Sequence, residues 1–203
     1  MPLLLKKSLF PDVLLGVWKI DESFEDFCIL YPWLKQKCCQ EINSYKSEQR
    51  KCEILAVQLL IREFVGDNVS LFHERNGRPY LSNGLNVGIS HTCGYAVVVI
   101  SCNKNVSVDI EFINQRVLRI KDRFMRADEC AYSLIQYILH WCTKETLYKM
   151  FSEDKLSFGE MQLLSIEGDD SDGIITAKNI LRNQLIKVYY FTINNVIITY
   201  SAI

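Results

Sequence analysis

The spacing of apolar residues along the chain changes period several times, and each change marks an element. Residues 13–20 form an apolar, β-branched run expected to be a strand. Asp21 then serves as N-cap of a short helix to Phe27, which the restriction that proline places on its predecessor ends near Tyr31-Pro32. Residues 47–65 predict a longer helix, apolar nearly all round (Ile54, Leu55, Ala56, Val57, Leu59, Leu60, Ile61). Its polar residues Lys51, Gln58 and Arg62 fall at i, i+7 and i+11, a stripe that can face water or carry cations toward an anionic ligand. Strands follow at 69–74, 87–92 and 95–102, with a turn at Asn76-Gly77-Arg78-Pro79 and a tight connection at Gly94. Asn103-Lys104-Asn105 separates this meander from what comes next, so two halves are expected, 1–103 and 104–203.

The second half opens on a strand at 106–111, continues with helices at 117–124 and 128–151, the latter open to a break near His140, and closes with strands at 161–167, 174–180, 185–193 and 196–201. Each half is a major helix followed by strands. The expected fold class is α+β: two similar α/β halves, each a major helix packed on a small, mainly antiparallel sheet.

Val106-Ser107-Val108-Asp109-Ile110-Glu111 alternates so that Asp109 and Glu111 lie on one face, about 7 Å apart along the strand, and can share a hard cation such as Mg²⁺. An antiparallel strand with one wet face shows the same alternation. In His140-Trp141-Cys142-Thr143-Lys144-Glu145-Thr146-Leu147-Tyr148-Lys149, helical spacing puts Trp141, Glu145 and Lys149 on one stripe. Glu145 and Lys149 make an ordinary surface ion pair, or Glu145 is a third carboxylate beside Asp109 and Glu111. Three carboxylates and a lysine can hold Mg²⁺ on a pyrophosphate and leave one group for proton transfer, with Lys149 keeping Glu145 ionised. Arg78 in its turn, and Ser90 and His91 at a strand end, can reach a phosphate; equally, Arg78 can be solvated and His91 a satisfied imidazole. The His91/Cys93 and His140/Cys142 pairs raise zinc, but residues two apart on a helix diverge by about 200°, which disqualifies the second pair.

Composition narrows the partners. With 23 basic and 24 acidic residues the net charge is −1, so no overall field favours nucleic acid or anionic lipid. The eight cysteines (28, 38, 39, 52, 93, 102, 130, 142) include no Cys-x-x-Cys, several lie in apolar runs, and they are expected to be reduced. The leucines near the start are stopped by Lys6 and Lys7, too short a run for a signal h-region or a span, and a cytoplasmic protein is expected.

Taken together, Gly77-Arg78-Pro79, Ile89-Ser90-His91, Val108-Asp109-Ile110-Glu111 and Trp141-Cys142-Thr143-Lys144-Glu145 with Lys149 resemble the ordered motifs of 4′-phosphopantetheinyl transferases of the long, pseudodimeric type. The resemblance covers about residues 50–151. It implies a pseudodimer with coenzyme A in the cleft between its halves, and transfer of 4′-phosphopantetheine to a serine of an apo acyl or peptidyl carrier protein, releasing adenosine 3′,5′-bisphosphate. It implies Asp109, Glu111 and Glu145 as Mg²⁺ ligands, Glu145 as the group that activates the serine, and Lys149, His91 and Arg78 as contacts to CoA phosphates. Arg50, Lys51 and Ser90 are further expected CoA contacts. Arg78 stands where the family more often has lysine, and Gln58 where it usually has arginine. A non-catalytic CoA- or nucleotide-binding module and a Mg²⁺-dependent phosphohydrolase are the competing readings. A monomer is expected, with Arg116, Arg119, Lys121, Arg123 and Arg126 as candidate contacts to an acidic carrier.

Overall fold

The computed structural model describes residues 3–38 and 42–203. Cys39 falls outside them. The fold is mixed α and β with antiparallel sheets, and the chain separates into two compact units, 1–72 with 79–103, and 73–78 with 104–203.

The first unit is built on a four-stranded sheet of order β1-β2-β6-β5, where β1 is Leu3–Phe10, β2 Val13–Lys19, β5 Asn86–Thr92 and β6 Tyr95–Ser101. A short pair, β3 (Leu71–His73) and β4 (Pro79–Leu81), flanks the Asn76-Gly77-Arg78 turn. Helix α1 (Phe24–Leu30) is capped by Ser23, two residues later than the expected Asp21. Ser23 and Asp26 form a reciprocal capping box that Asp21 cannot supply. Pro32 then opens α2 (Pro32–Lys37) rather than only ending α1, because proline at the first helical position lacks an N–H that would be unpaired anyway. Helix α3 (Glu48–Val65), capped by Ser47, buries Leu55, Ala56, Leu59 and Leu60 in one core with Trp18, Ala96, Val98 and Ile100. Gly16 permits the close approach: a Cβ there would lie 2.7 Å from the Phe64 ring and 2.9 Å from Leu60.

The second unit is a five-stranded sheet of order β7-β11-β10-β9-β8: β7 Val106–Phe112, β8 Met161–Gly168, β9 Asp172–Asn179, β10 Gln184–Ile193 and β11 Val196–Ala202. Helix α4 (Arg116–Phe124) precedes α5 (Leu134–Met150), which runs unbroken through His140. Helix α5 starts at 134 instead of 128 because Ser133 caps it and the residues before it are otherwise engaged, with the Glu129 carboxylate accepting from Arg126 N–H. A single 3₁₀ turn, Phe158–Glu160, leads into β8. Ile138, Leu139, Cys142 and Leu147 of α5 share a core with Ile175, Ile186, Val188 and Ile197. No helix among the described residues is long and apolar enough to cross a membrane.

Candidate functional site

In the second unit, strand alternation sorts β7 into two sets. Ser107, Asp109 and Glu111 fall on one side; Val106, Val108 and Ile110 fall on the other and are buried. Helix α5 is stitched over the polar set by hydroxyls. Ser107 Oγ donates to Thr146 O at 2.8 Å, Thr199 Oγ1 donates to Cys142 O at 3.1 Å, and the Thr146 and Thr199 hydroxyls bond at 2.7 Å. Thr199 is the register partner of Asp109 on β11, so these bonds seat the helix directly above that carboxylate.

Cys142, Thr146 and Lys149 share a helix face, and Lys149 Nζ donates to Asp109 Oδ1 at 2.6 Å and Val108 O at 3.2 Å. The ammonium thus pairs with Asp109, while its charge also acts on Glu145. Burial and the neighbouring Asp109 carboxylate push the Glu145 carboxyl up to about 6, with Lys149 opposing and Glu111 adding to the rise. Burial raises the Cys142 thiol well above its ordinary range, and Asp109 and Glu111 reinforce this, so it stays protonated and donates to Asp109. Glu111 Oε1 accepts from Phe112 N–H at 2.9 Å. Asp109, Glu111, Glu145 and Lys149 therefore come together as one electrostatic group. Among the described residues no three His, Cys, Asp or Glu side chains are drawn into a ready-made ligand cluster. The donor set still suits a hard divalent cation: Lys149 pairs with Asp109 alone of the three carboxylates, and burial together with the charges of Asp109 and Glu111 raises Glu145.

Trp141 packs on Phe124 and Phe158, with ring centroids 5.4 and 5.5 Å away. Lys144 and Glu129 form a buried pair at 2.6 Å. Burial outweighs the attraction of Glu129 and lowers the Lys144 pKa.

Arg50 and His91 meet in the first unit around a residue the sequence did not single out. Glu53 on α3 is 5% exposed and accepts from His91 Nδ1 at 3.0 Å, Arg50 Nη1 at 3.2 Å and Gln49 Nε2 at 3.0 Å. Arg50 Nη1 also contacts His91 Nε2. Burial alone would raise the Glu53 pKa, but the bonds from His91, Gln49 and Arg50 outweigh it and hold it below the ordinary glutamate range. Ser90, next in sequence to His91, is buried on the opposite face of β5. Lys51 lies over the Phe24 ring at 5.1 Å and Arg62 over Trp33 at 4.4 Å, and Gln58 is buried. The polar stripe of α3 thus packs partly against α1 and α2, with Lys51 and Arg62 left half-buried. Arg78 belongs with the second unit, donating to Asn105 Oδ1 at 3.1 Å with Glu153 at 3.8 Å, and it lines a cavity of about 170 Å³ together with Arg182 and Gln184. Comparison with family models and with curated proteins finds no match to the chain.

Proposed function

We propose that the protein is a Mg²⁺-dependent 4′-phosphopantetheinyl transferase, moving phosphopantetheine from coenzyme A to a serine of an apo acyl or peptidyl carrier protein. The observation that carries this reading is the set of three carboxylates, Asp109, Glu111 and Glu145, coupled beneath α5 with Lys149 on Asp109. Mg²⁺ held by these groups would offset charge on the pyrophosphate. The chain's own part is acid–base and positional. Glu145 would take the proton of the serine hydroxyl as the new O–P bond forms, and adenosine 3′,5′-bisphosphate would leave as the pyrophosphate P–O bond breaks. A carboxyl raised to about 6 is ionised at neutral pH yet basic enough to accept that proton. Lys149, Arg50, Lys51, Arg78 and His91 would contact CoA phosphates, with Glu53 holding Arg50 and His91 ready for charge-assisted bonds, while Ser90, buried on the other face of β5, would not.

On this reading the two units are the halves of a pseudodimer, acting as a monomer in the cytoplasm. Each unit taken by itself, a long helix on an antiparallel sheet, is consistent with that. The exposed Arg116, Arg119 and Arg123 of α4 and the half-buried Lys121 and Arg126 offer a basic face to an acidic carrier. The test is incubation with CoA, Mg²⁺ and an apo carrier protein, followed by mass spectrometry of the carrier. A gain of one phosphopantetheine is expected. CoA cleavage without carrier modification would instead indicate a phosphohydrolase, and CoA binding without turnover a non-catalytic module.

A further inference from the structure

Lys144 and Glu129 pair at 2.6 Å with both side chains wholly excluded from solvent, an arrangement whose desolvation cost needs several further bonds to offset it. Those bonds are present. Lys144 Nζ donates to Phe124 O at 2.6 Å and reaches Phe158 O at 3.5 Å. Glu129 accepts from Arg126 N–H at 2.9 Å and from Leu163 N–H at 2.7 Å. One ammonium and one carboxylate thereby gather the end of α4, the segment after it, the 3₁₀ turn and β8 onto α5.

Position around the helix gives the pair its significance. At 100° per residue, Lys144 lies about 200° from Cys142, on the side of α5 away from Thr146 and Lys149. The sheet-facing side is held by the Ser107, Thr199 and Asp109 bonds, and the far side by Glu129. Rotation of α5 about its own axis, the movement that would swing Glu145 away from Asp109 and Glu111, is blocked from both sides.

We infer that Glu129 and Lys144 are positioning residues that set the rotation of α5 and so the aim of Glu145 at the carboxylate group, an inference that rests on the proposed Mg²⁺ site. The test is the neutral pair Glu129→Gln/Lys144→Met, which removes both charges together and so leaves neither buried alone. Calorimetric titration of Mg²⁺ in the presence of CoA should give affinity weaker by roughly tenfold or more, the scale on which metal sites respond to loss of their supporting shell. CoA affinity should stay near that of the wild type, and amides of residues 125–131 and 158–163 should exchange faster while those of β7 and β11 do not. A merely structural pair would speed exchange or lower Tm and leave Mg²⁺ affinity in the folded protein unchanged, which overturns the inference. If the double variant fails to fold, Glu129→Gln alone, nearly isosteric, undergoes the same titration with the same two outcomes. A wild type that binds Mg²⁺ but modifies no carrier would defeat the transferase reading and leave the positioning role standing. A wild type that binds no Mg²⁺ would defeat both.

Discussion

Asp109 and Glu145 carry the same charge in different company, and their substitution should separate two kinds of work. Asp109 is tied to Lys149 and to the Cys142 thiol, whereas Glu145 is lifted to about 6 by burial and by Asp109. Glu145→Gln should lower kcat by roughly 10²–10⁴, the usual scale of a positioned base. Asp109→Asn should instead raise the Mg²⁺ concentration needed for half-maximal rate and recover in excess metal. Rate measured against Mg²⁺ for both variants decides this; equal rescue of the two would make Glu145 chiefly a ligand. Asp109 and Glu111 were legible in the sequence because strand alternation alone puts them on one side. Glu53, Glu129 and Cys142 were not. An acid inside an apolar helical run announces its position but not its partners, and Glu129 lies in a stretch with no periodicity to place it.

Among elements, Gly16 sets how close α3 comes to its sheet. An added Cβ would meet Phe64 and Leu60 at 2.7 and 2.9 Å, so Gly16→Ala should destabilise the protein by about 1–3 kcal/mol, read as a lower urea midpoint with an unchanged m value. The long helices and most strands follow from hydrophobic period, and apart from the later start of α5 the structure keeps them within a few residues of where the pattern puts them. The misses have local causes. Strand β1 carries no strand signal in the sequence because Leu3, Leu4 and Leu5 run into Lys6 and Lys7 without alternation. The structure explains that pattern by making β1 an edge strand, with Lys6 turned to Glu63 at 2.9 Å. The α3 stripe could not be judged from its own residues, since the rings of α1 and α2 that Lys51 and Arg62 lie over come from elsewhere in the chain.

At the scale of the whole molecule, acid should act in opposite directions through three groups withdrawn from solvent, two that lose stability and one that gains it. Burial lowers the His140 pKa, so the unfolded chain takes up that proton first and stability falls as pH drops below about 6.5. Glu53 is also lowered, and its contribution, present above about 4.5, is lost as pH falls through its folded value. Glu145 is raised from 4.5 to about 6, so its ionisation weakens the metal-free fold as pH rises through that value, and acidification through the same window restores stability. Denaturant midpoints measured without metal from pH 7 to 4 should therefore decline gently at first and more steeply below about 4.5. Glu53→Gln should flatten the lower limb and leave the upper one in place.

The sheet order of the second unit also governs when the carboxylate group can exist at all. Strand β7 stands at one edge, and its neighbour is β11, with Asp109 opposite Thr199 and Glu111 opposite Ile197. Pairing them means closing a loop that contains both helices and three other strands, the kind of distant contact that forms late, whereas β9 and β10 pair across a short turn. In pulse-labelled refolding, β7 amides should gain protection in step with β11 and after the β9–β10 hairpin. A nascent chain that has emerged only as far as Asn195 would thus hold Asp109, Glu111, Glu145 and Lys149 without the strand that aligns them, and ligand capture would wait on synthesis of β11.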